Sequence, residues 1–513
     1  MEILGLVEAP TWILVVFSLL LGLYFYYRCY FLYIDRCGFT GPFPLPLIGT
    51  MYRMRGKTLL ELELELYNQY KDKGVCRTFI FHTPFISVVD PELMKEILVK
   101  RFNDFPNRLV FDFNTPEFER AMTNLQNDHW KHIRSIASPT FTSGKLKNMM
   151  RLVKSASNSF QQGMAEKVAK GENVDLKDAT GAYTMDVIAS TMFGIQIDSQ
   201  KDPDDPFVKN ARKIFNISLG NWKFVLILLF PQLGPVMKKL GFYLFEKDIV
   251  DFFVGVVDQV MKERKEGKET YVDFMQLMVN EEVGDDAIDR ETSLPTGTKW
   301  KWSSKGILRK EILANAVVFF IAGYDTTATT LAILAYNLAM NPEIQDKVIA
   351  EIDQEIGDKE VTYESAQRLT YLEMALSESL RMYPPAIRFD RVANHDVTIN
   401  GIIFPKGVSV GFPIYGIHHD PEIWPNPFKF DPERFTAEEK ASRNPYHYMP
   451  FGSGQRACIG MRLAVMEIKV ALATFYAKNK FVKCDQTPEK LEFKSLGLLQ
   501  FKDPVIVGLE SRK

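Results

Sequence analysis

Phe451-Gly452-Ser453-Gly454-Gln455-Arg456-Ala457-Cys458-Ile459-Gly460 is a glycine-rich turn that delivers a single cysteine. A buried thiolate that ligates a metal needs three things from its surroundings. Backbone N–H groups must approach the sulfur, and glycines at 454 and 460 permit that approach. A cation must favour the ionised thiol, a role open to Arg456. A helix should begin at the cysteine so that its N-terminal dipole faces negative charge, and Met461 to Ala477 reads as that helix. The plainer reading is a buried, inert cysteine in a tight turn. The other cysteines, Cys29, Cys37, Cys76 and Cys484, show no paired CxxC spacing, so neither a disulfide framework nor a zinc site is expected.

Upstream, residues 311–340 are almost continuously apolar except at Ala322-Gly323-Tyr324-Asp325-Thr326-Thr327. An acid and two hydroxyls buried mid-helix are costly without partners or a task. The Thr326 hydroxyl is expected to bond back to the Ala322 carbonyl, loosening the helix and opening a groove for water and dioxygen. Thr326 would then hold a water, and Asp325 would connect it to solvent for proton delivery. Asn341-Pro342 stops this helix.

The remaining pattern is mainly helical with small strands, an α+β class in which helices dominate. Leu59 to Tyr67 alternates Leu with Glu, yet both are good helix formers and a helix is expected. Arg77 to Val89 reads as a hairpin turned at Thr83-Pro84, and small strands are expected around Val397 to Val410. Residues 281–306 are polar and read as a surface connection.

Between Glu8 and Arg28 lies the uncharged run APTWILVVFSLLLGLYFYY. At about 1.5 Å per residue it reaches roughly 28 Å, close to the hydrocarbon core of a bilayer. Trp12 at one end and Tyr24, Tyr26 and Tyr27 at the other suit the two interfaces. A cleaved signal peptide would want basic leading residues and small exit residues, whereas Glu2 and Glu8 lead here. Arg28, Arg36, Arg53 and Arg55 all follow the span, so the positive-inside rule leaves the large domain in the cytosol. The sequon Asn216-Ile217-Ser218 would then stay unglycosylated. Gly41-Pro42-Phe43-Pro44-Leu45-Pro46 is a stiff extended connector. A second apolar run, Phe224 to Phe230, is too short to span. The expected organisation is an anchor over 1–35, a proline-rich hinge over 36–57 and a catalytic domain over 58–513.

The 513 residues carry 62 basic and 64 acidic side chains, a balance that argues against a dedicated nucleic-acid binder.

The cysteine stretch matches the pattern F-x-x-G-x-R-x-C-x-G and so resembles the cytochrome P-450 superfamily. Ala322 to Thr327 is similar to that family's A-G-x-D/E-T-T/S motif, and Glu378-x-x-Arg381 to its E-x-x-R. The segments FGSGQRACIGMRLA, INGIIFPKG and SLGLLQ look most like the family-three drug and steroid hydroxylases, to which a thromboxane synthase is related. The resemblance implies a P-450 fold with haem b bound through Cys458 as iron ligand. It implies haem propionate contacts from Trp130 and Arg134, spaced W-x-x-x-R, and from Arg391, Arg456 and Arg108. It makes Asp325 and Thr326 the proton-delivering pair, and Glu378, Arg381 and Arg434 a buried network that fixes the cysteine loop. Phe111, Phe113, Phe215, Phe319, Ala322, Ala386 and Ile387 fall where relatives line the substrate pocket, although each would serve equally as core.

The implied reaction is monooxygenation of lipophilic small molecules, with O2 and with electrons from NADPH through a flavin reductase and, as a further donor, cytochrome b5. The implied location is the endoplasmic reticulum membrane. Lys131, His132, Lys145, Lys147 and Lys469 would offer the reductase a basic face. Two other functions compete: a haem-thiolate isomerase or dehydratase of lipid peroxides, and a haem sensor or carrier without turnover. Retention of Asp325-Thr326 favours monooxygenation.

Overall fold

The computed structural model describes residues 2–3, 7–8, 11–81, 83–110, 115–202, 204–214, 236–237, 240–241, 243, 245–267, 273–293, 299–495 and 498–512. Phe111, Phe113, Phe215, the run Phe224 to Phe230 and the sequon at Asn216 lie outside these residues. The chain divides into two compact units, one of residues 1–106 and 388–417, the other of residues 107–387 and 418–513.

The first unit begins with the Thr11–Arg36 helix. Its apolar stretch has a mean hydropathy of 1.6 and none of it is buried, as a bilayer-spanning segment requires. At its exit Phe31 packs edge-on against Phe79 at 4.6 Å, and Arg77 pairs with Asp35. The expected helix appears at Leu59–Tyr70. Thr58 and Glu61 cap it reciprocally, which satisfies two donors that the first turn leaves free.

A four-stranded sheet runs in the order Phe389–Val392, Ser409–Phe412, Thr83–Val88, Val75–Ile80. Ile80 pairs with Thr83, so Thr83-Pro84 opens the second strand of the hairpin rather than forming its turn. Phe81 takes a left-handed φ of 56°, while Pro84 sits near the start of its strand, where a missing donor is tolerated.

The second unit is built on the central helix, Arg309–Met340, capped by Asn341 ahead of Pro342. Its apolar stretch is 72% buried, so its hydropathy marks a core helix and not a second span. It packs on the Leu176–Ile188 helix, where Thr180 donates to the Ala328 carbonyl at 2.9 Å and Thr184 to that of Tyr324 at 3.2 Å. Gly323 lies under Ile188, and a Cβ there would fall 2.4 Å from the Ile188 side chain. The helix that follows the cysteine, Met461–Tyr476, packs on Ser143–Lys170.

Residues 281–306 differ from the expected surface connection. Glu282–Val283 pairs in parallel with Ile307–Leu308, and Arg290–Ser293 forms an antiparallel hairpin with Lys299–Trp302. Trp300 and Trp302 are only 4% and 6% exposed. The two indoles alternate with lysines, so at strand period both reach the interior while the polar residues that dominate the composition stay outside.

Candidate active site

Gly452 and Gly454 both take left-handed φ values near 70°, at 71° and 72°, and fold the loop so that the Cys458 N–H reaches the Phe451 carbonyl at 2.8 Å. Gly460 has an ordinary φ of −86° at the N-cap of Met461–Tyr476, with open space where a Cβ would stand. Cys458 is accessible to solvent although protein surrounds it closely. Burial pushes its thiol up, opposed by backbone N–H groups of Gly460 and Met461 and by the Arg134 and Arg108 guanidiniums. Amide donors, a helix start and two guanidiniums thus surround the sulfur.

The main cations differ from the expectation for Arg456. Its guanidinium instead covers the Trp130 ring at 3.9 Å from the centroid and donates to the Leu125 carbonyl at 2.9 Å. Arg108 donates to the Arg456 carbonyl and Arg134 to the Ala457 carbonyl, each at 2.9 Å. Three arginines, Trp130 and the cysteine loop thus form one cluster, with Arg456 and Trp130 each 3% exposed. One soft anionic ligand beside clustered guanidiniums suits a prosthetic group that carries both iron and carboxylates. Arg391 belongs to the first unit, where it is fully buried beside Phe389 and donates to the Asp390 carbonyl at 2.7 Å.

On the central helix Thr326 Oγ1 donates to the Ala322 carbonyl at 2.6 Å, as expected for a mid-helix threonine. Ala322 is exposed and Thr326 half-buried, whereas Asp325 is only 4% exposed. The Asp325 carboxylate pairs with Lys177 Nζ at 2.7 Å, and the same ammonium reaches Thr329 Oγ1 at 2.8 Å. Lys177 lies 148 residues away and has no motif of its own, so sequence reasoning missed it. Its side chain is 25% exposed and gives the buried acid a polar route outward.

Glu378 and Arg381 are both wholly buried and form a bidentate pair, with N–O distances of 2.7 and 2.9 Å. Arg434 approaches the same carboxylate at 3.3 Å, and the carboxylate also accepts from the Asp431 N–H at 3.1 Å. Burial pushes the Glu378 carboxyl up while Arg381 pulls it down. Arg381 also donates to the His418 and Pro427 carbonyls, each at 2.6 Å. His418 links the network to Met449, two residues ahead of the cysteine loop. Its Nδ1 lies 3.1 Å from the Arg381 carbonyl, and its Nε2 accepts from the Met449 N–H at 3.2 Å. Burial pushes its imidazole well down, so it stays neutral and able to accept. A buried neutral histidine has no sequence signature, and His418 went unseen.

Of the pocket candidates, Phe319 is buried against Phe274 and Phe141, with ring centroids 4.6 and 6.1 Å apart. Ile387 is fully buried, and half-buried Ala386 bridges to exposed Leu498. Among the basic-face candidates, Lys469 does not belong to a surface: it is fully buried and pairs with Glu373 at 2.9 Å. Lys147 is exposed and pairs with Glu364, and His132 lies 2.9 Å from the Gly306 carbonyl.

The family model for cytochrome P450 matches residues 40–508. The chain is 38% identical to cytochrome P450 3A11 of Mus musculus over all of this chain and 99% of the relative. It is 38% identical to cytochrome P450 3A27 of Oncorhynchus mykiss, covering 97% of that protein, and 36% identical to cytochrome P450 3A18 of Rattus norvegicus over the full length of both. The chain belongs to the cytochrome P450 family. It is a haem-thiolate monooxygenase that bears an N-terminal apolar helix long enough to cross a membrane.

Proposed function

We propose that the protein inserts one atom of O2 into lipophilic small molecules such as xenobiotics, steroids or fatty acids, with NADPH-derived electrons from a flavin reductase and, as a further donor, cytochrome b5. Haem, when bound, supplies the electron transfer and the activation of dioxygen. Cys458 is the iron ligand in this reading, held by its loop and by the network from Glu378 through Arg381 and His418. Arg108, Trp130, Arg134 and Arg456 would receive the propionates. Thr326, bonded to the Ala322 carbonyl, would hold a water beside that turn of the helix. Asp325 passes protons to it from Lys177. Ala322, Ala386, Ile387 and Phe319 supply the apolar wall expected around a lipophilic substrate.

Residues 1–35 form a single-pass anchor and 58–513 the catalytic domain, joined by the hinge at 36–57. Arg28 and Arg36 follow the span and keep the catalytic domain cytosolic, at the endoplasmic reticulum.

The observation that carries this reading is the acid–alcohol pair itself: a threonine bonded into the turn before it, next to a buried carboxylate with an ammonium leading outward. The test is reconstitution with reductase and NADPH. Thr326→Ala should leave the haem spectrum intact and lower product formed per NADPH by about 100-fold. Unchanged coupling in that variant, or no substrate-linked NADPH use by the parent protein, would remove the monooxygenation reading in favour of peroxide rearrangement or ligand carriage.

A further inference from the structure

The hairpin at Arg290–Ser293 and Lys299–Trp302 does more than connect two helices. The Asn127–Ala137 helix carries Trp130 and Arg134 toward the cysteine loop. The residue before Trp130, His129, is wholly buried and points elsewhere. Its Nε2 lies 2.7 Å from Glu311 Oε1, and its ring stacks on Trp302 at 4.8 Å with only 5° between planes. Trp302 is fixed in turn by an indole N–H bond to Thr292 Oγ1 at 3.0 Å across the hairpin.

Glu311 stands in the first turn of the central helix and is also fully buried. Its Oε2 accepts from the Leu308 N–H at 2.9 Å, so it caps the helix, where negative charge is favoured. Arg120 completes the enclosure: it approaches Glu311 at 3.5 Å, donates to the Lys301 carbonyl at 2.8 Å and lies over the Trp300 ring at 5.7 Å. One turn along, His132 reaches the Gly306 carbonyl at 2.9 Å.

A buried carboxylate persists only with partners, and Glu311 has three. His129 Nδ1 is buried without a hydrogen-bond partner. The neutral tautomer that donates from Nε2 fits this arrangement, because a protonated ring would bury an N–H donor at Nδ1 with no acceptor. Burial lowers the His129 pKa, which agrees with that assignment.

From this geometry we infer that His129, clamped between Glu311 and Trp302, is a positioning residue that holds Trp130 and Arg134 against the Cys458 loop. This rests on the haem-thiolate reading, since it acts on the residues assigned there to the propionates. The hairpin is the outer jaw of the clamp and the first turn of the central helix the inner one. Loss of either lets the Trp130 helix shift, and the prosthetic group is then held less firmly.

The test uses the full chain loaded with haem, and reads transfer of haem to excess apomyoglobin, with the midpoint potential and far-UV circular dichroism alongside. His129→Phe keeps an aromatic face for Trp302 and removes the bond to Glu311. Trp302→Leu removes the stack from outside the helix, and it carries the test if the first variant does not fold. Each should release haem about tenfold faster with secondary structure unchanged and shift the potential, whereas His129→Gln, which keeps a donor, should return release to within about twofold of the parent. A folded His129→Phe that releases haem at the parental rate with an unaltered potential overturns the inference. A parent protein that binds no thiolate-ligated haem would instead overturn the family reading beneath it.

Discussion

Glu378→Gln should destabilise the folded state by about 3 kcal/mol, the lower end of the cost of removing one partner from a buried ion pair. The substitution preserves volume and deletes only the charge. Arg381, with no exposed surface, then keeps its bonds to the His418 and Pro427 carbonyls but loses the carboxylate that it grips through two N–H groups. The new amide also turns an N–H toward those same guanidinium donors. Arg434, 3.3 Å from the carboxylate, loses its counter-charge as well. A domain is stable by only about 5–15 kcal/mol, and about 1.4 kcal/mol is a factor of ten, so the unfolded population rises by roughly 100-fold.

Because the Arg381 carbonyl meets His418, and His418 accepts from the Met449 N–H, the loss should also reach the cysteine loop as reduced haem incorporation. Urea denaturation followed by far-UV circular dichroism, with haem content measured per protein, reads both effects. The double variant Glu378→Met/Arg381→Met should recover at most a small part of the loss: it removes the buried Arg381 charge, but Arg434 stays without its counter-charge and the His418 and Pro427 carbonyls lose their donor. A Glu378→Gln midpoint equivalent to less than about 1 kcal/mol would refute the argument, because a solvated surface pair costs no more than that.

Lys177→Met leaves Asp325 buried without its ion partner and closes the polar route outward. Product per NADPH should fall by about 100-fold with the Soret band unchanged, and a coupled Lys177→Met would show that protons arrive elsewhere. A separate pH effect comes from Asp186, which is pushed up to about 7, chiefly by burial; Asp198 and Asp205 add to the rise while Ser199 bonds oppose it. The folded state keeps this proton after the unfolded chain has lost it, so stability falls as pH rises from the ordinary aspartate range to about 7. Asp186→Asn should flatten that slope in denaturation series at several pH values, and an unchanged slope would contradict the assignment.

The central helix and the cysteine turn were legible because their requirements are local. Thr326 bonds to a carbonyl four residues away, and Asn341-Pro342 ends the helix by its own chemistry. Leu59–Tyr70 was legible for the same reason, through propensity and capping. What escaped was set by tertiary pairing. Lys177, His418 and the Lys469–Glu373 pair depend on helices brought together from distant parts of the chain. The hairpin at 290–302 was hidden by its polar composition, although the alternation at Lys299-Trp300-Lys301-Trp302 carried the strand period. Arg456 shows a subtler limit: a motif gives a residue's position, but its guanidinium turns to the nearest ring and carbonyl.

The most direct test of the account is the carbon monoxide difference spectrum of the reduced, haem-loaded protein beside that of Cys458→Ser. The account predicts a strongly red-shifted Soret band in the parent, as thiolate ligation gives, and its loss in the variant. A band at the position of histidine-ligated haem in the parent, or a red-shifted band that survives Cys458→Ser, would contradict it.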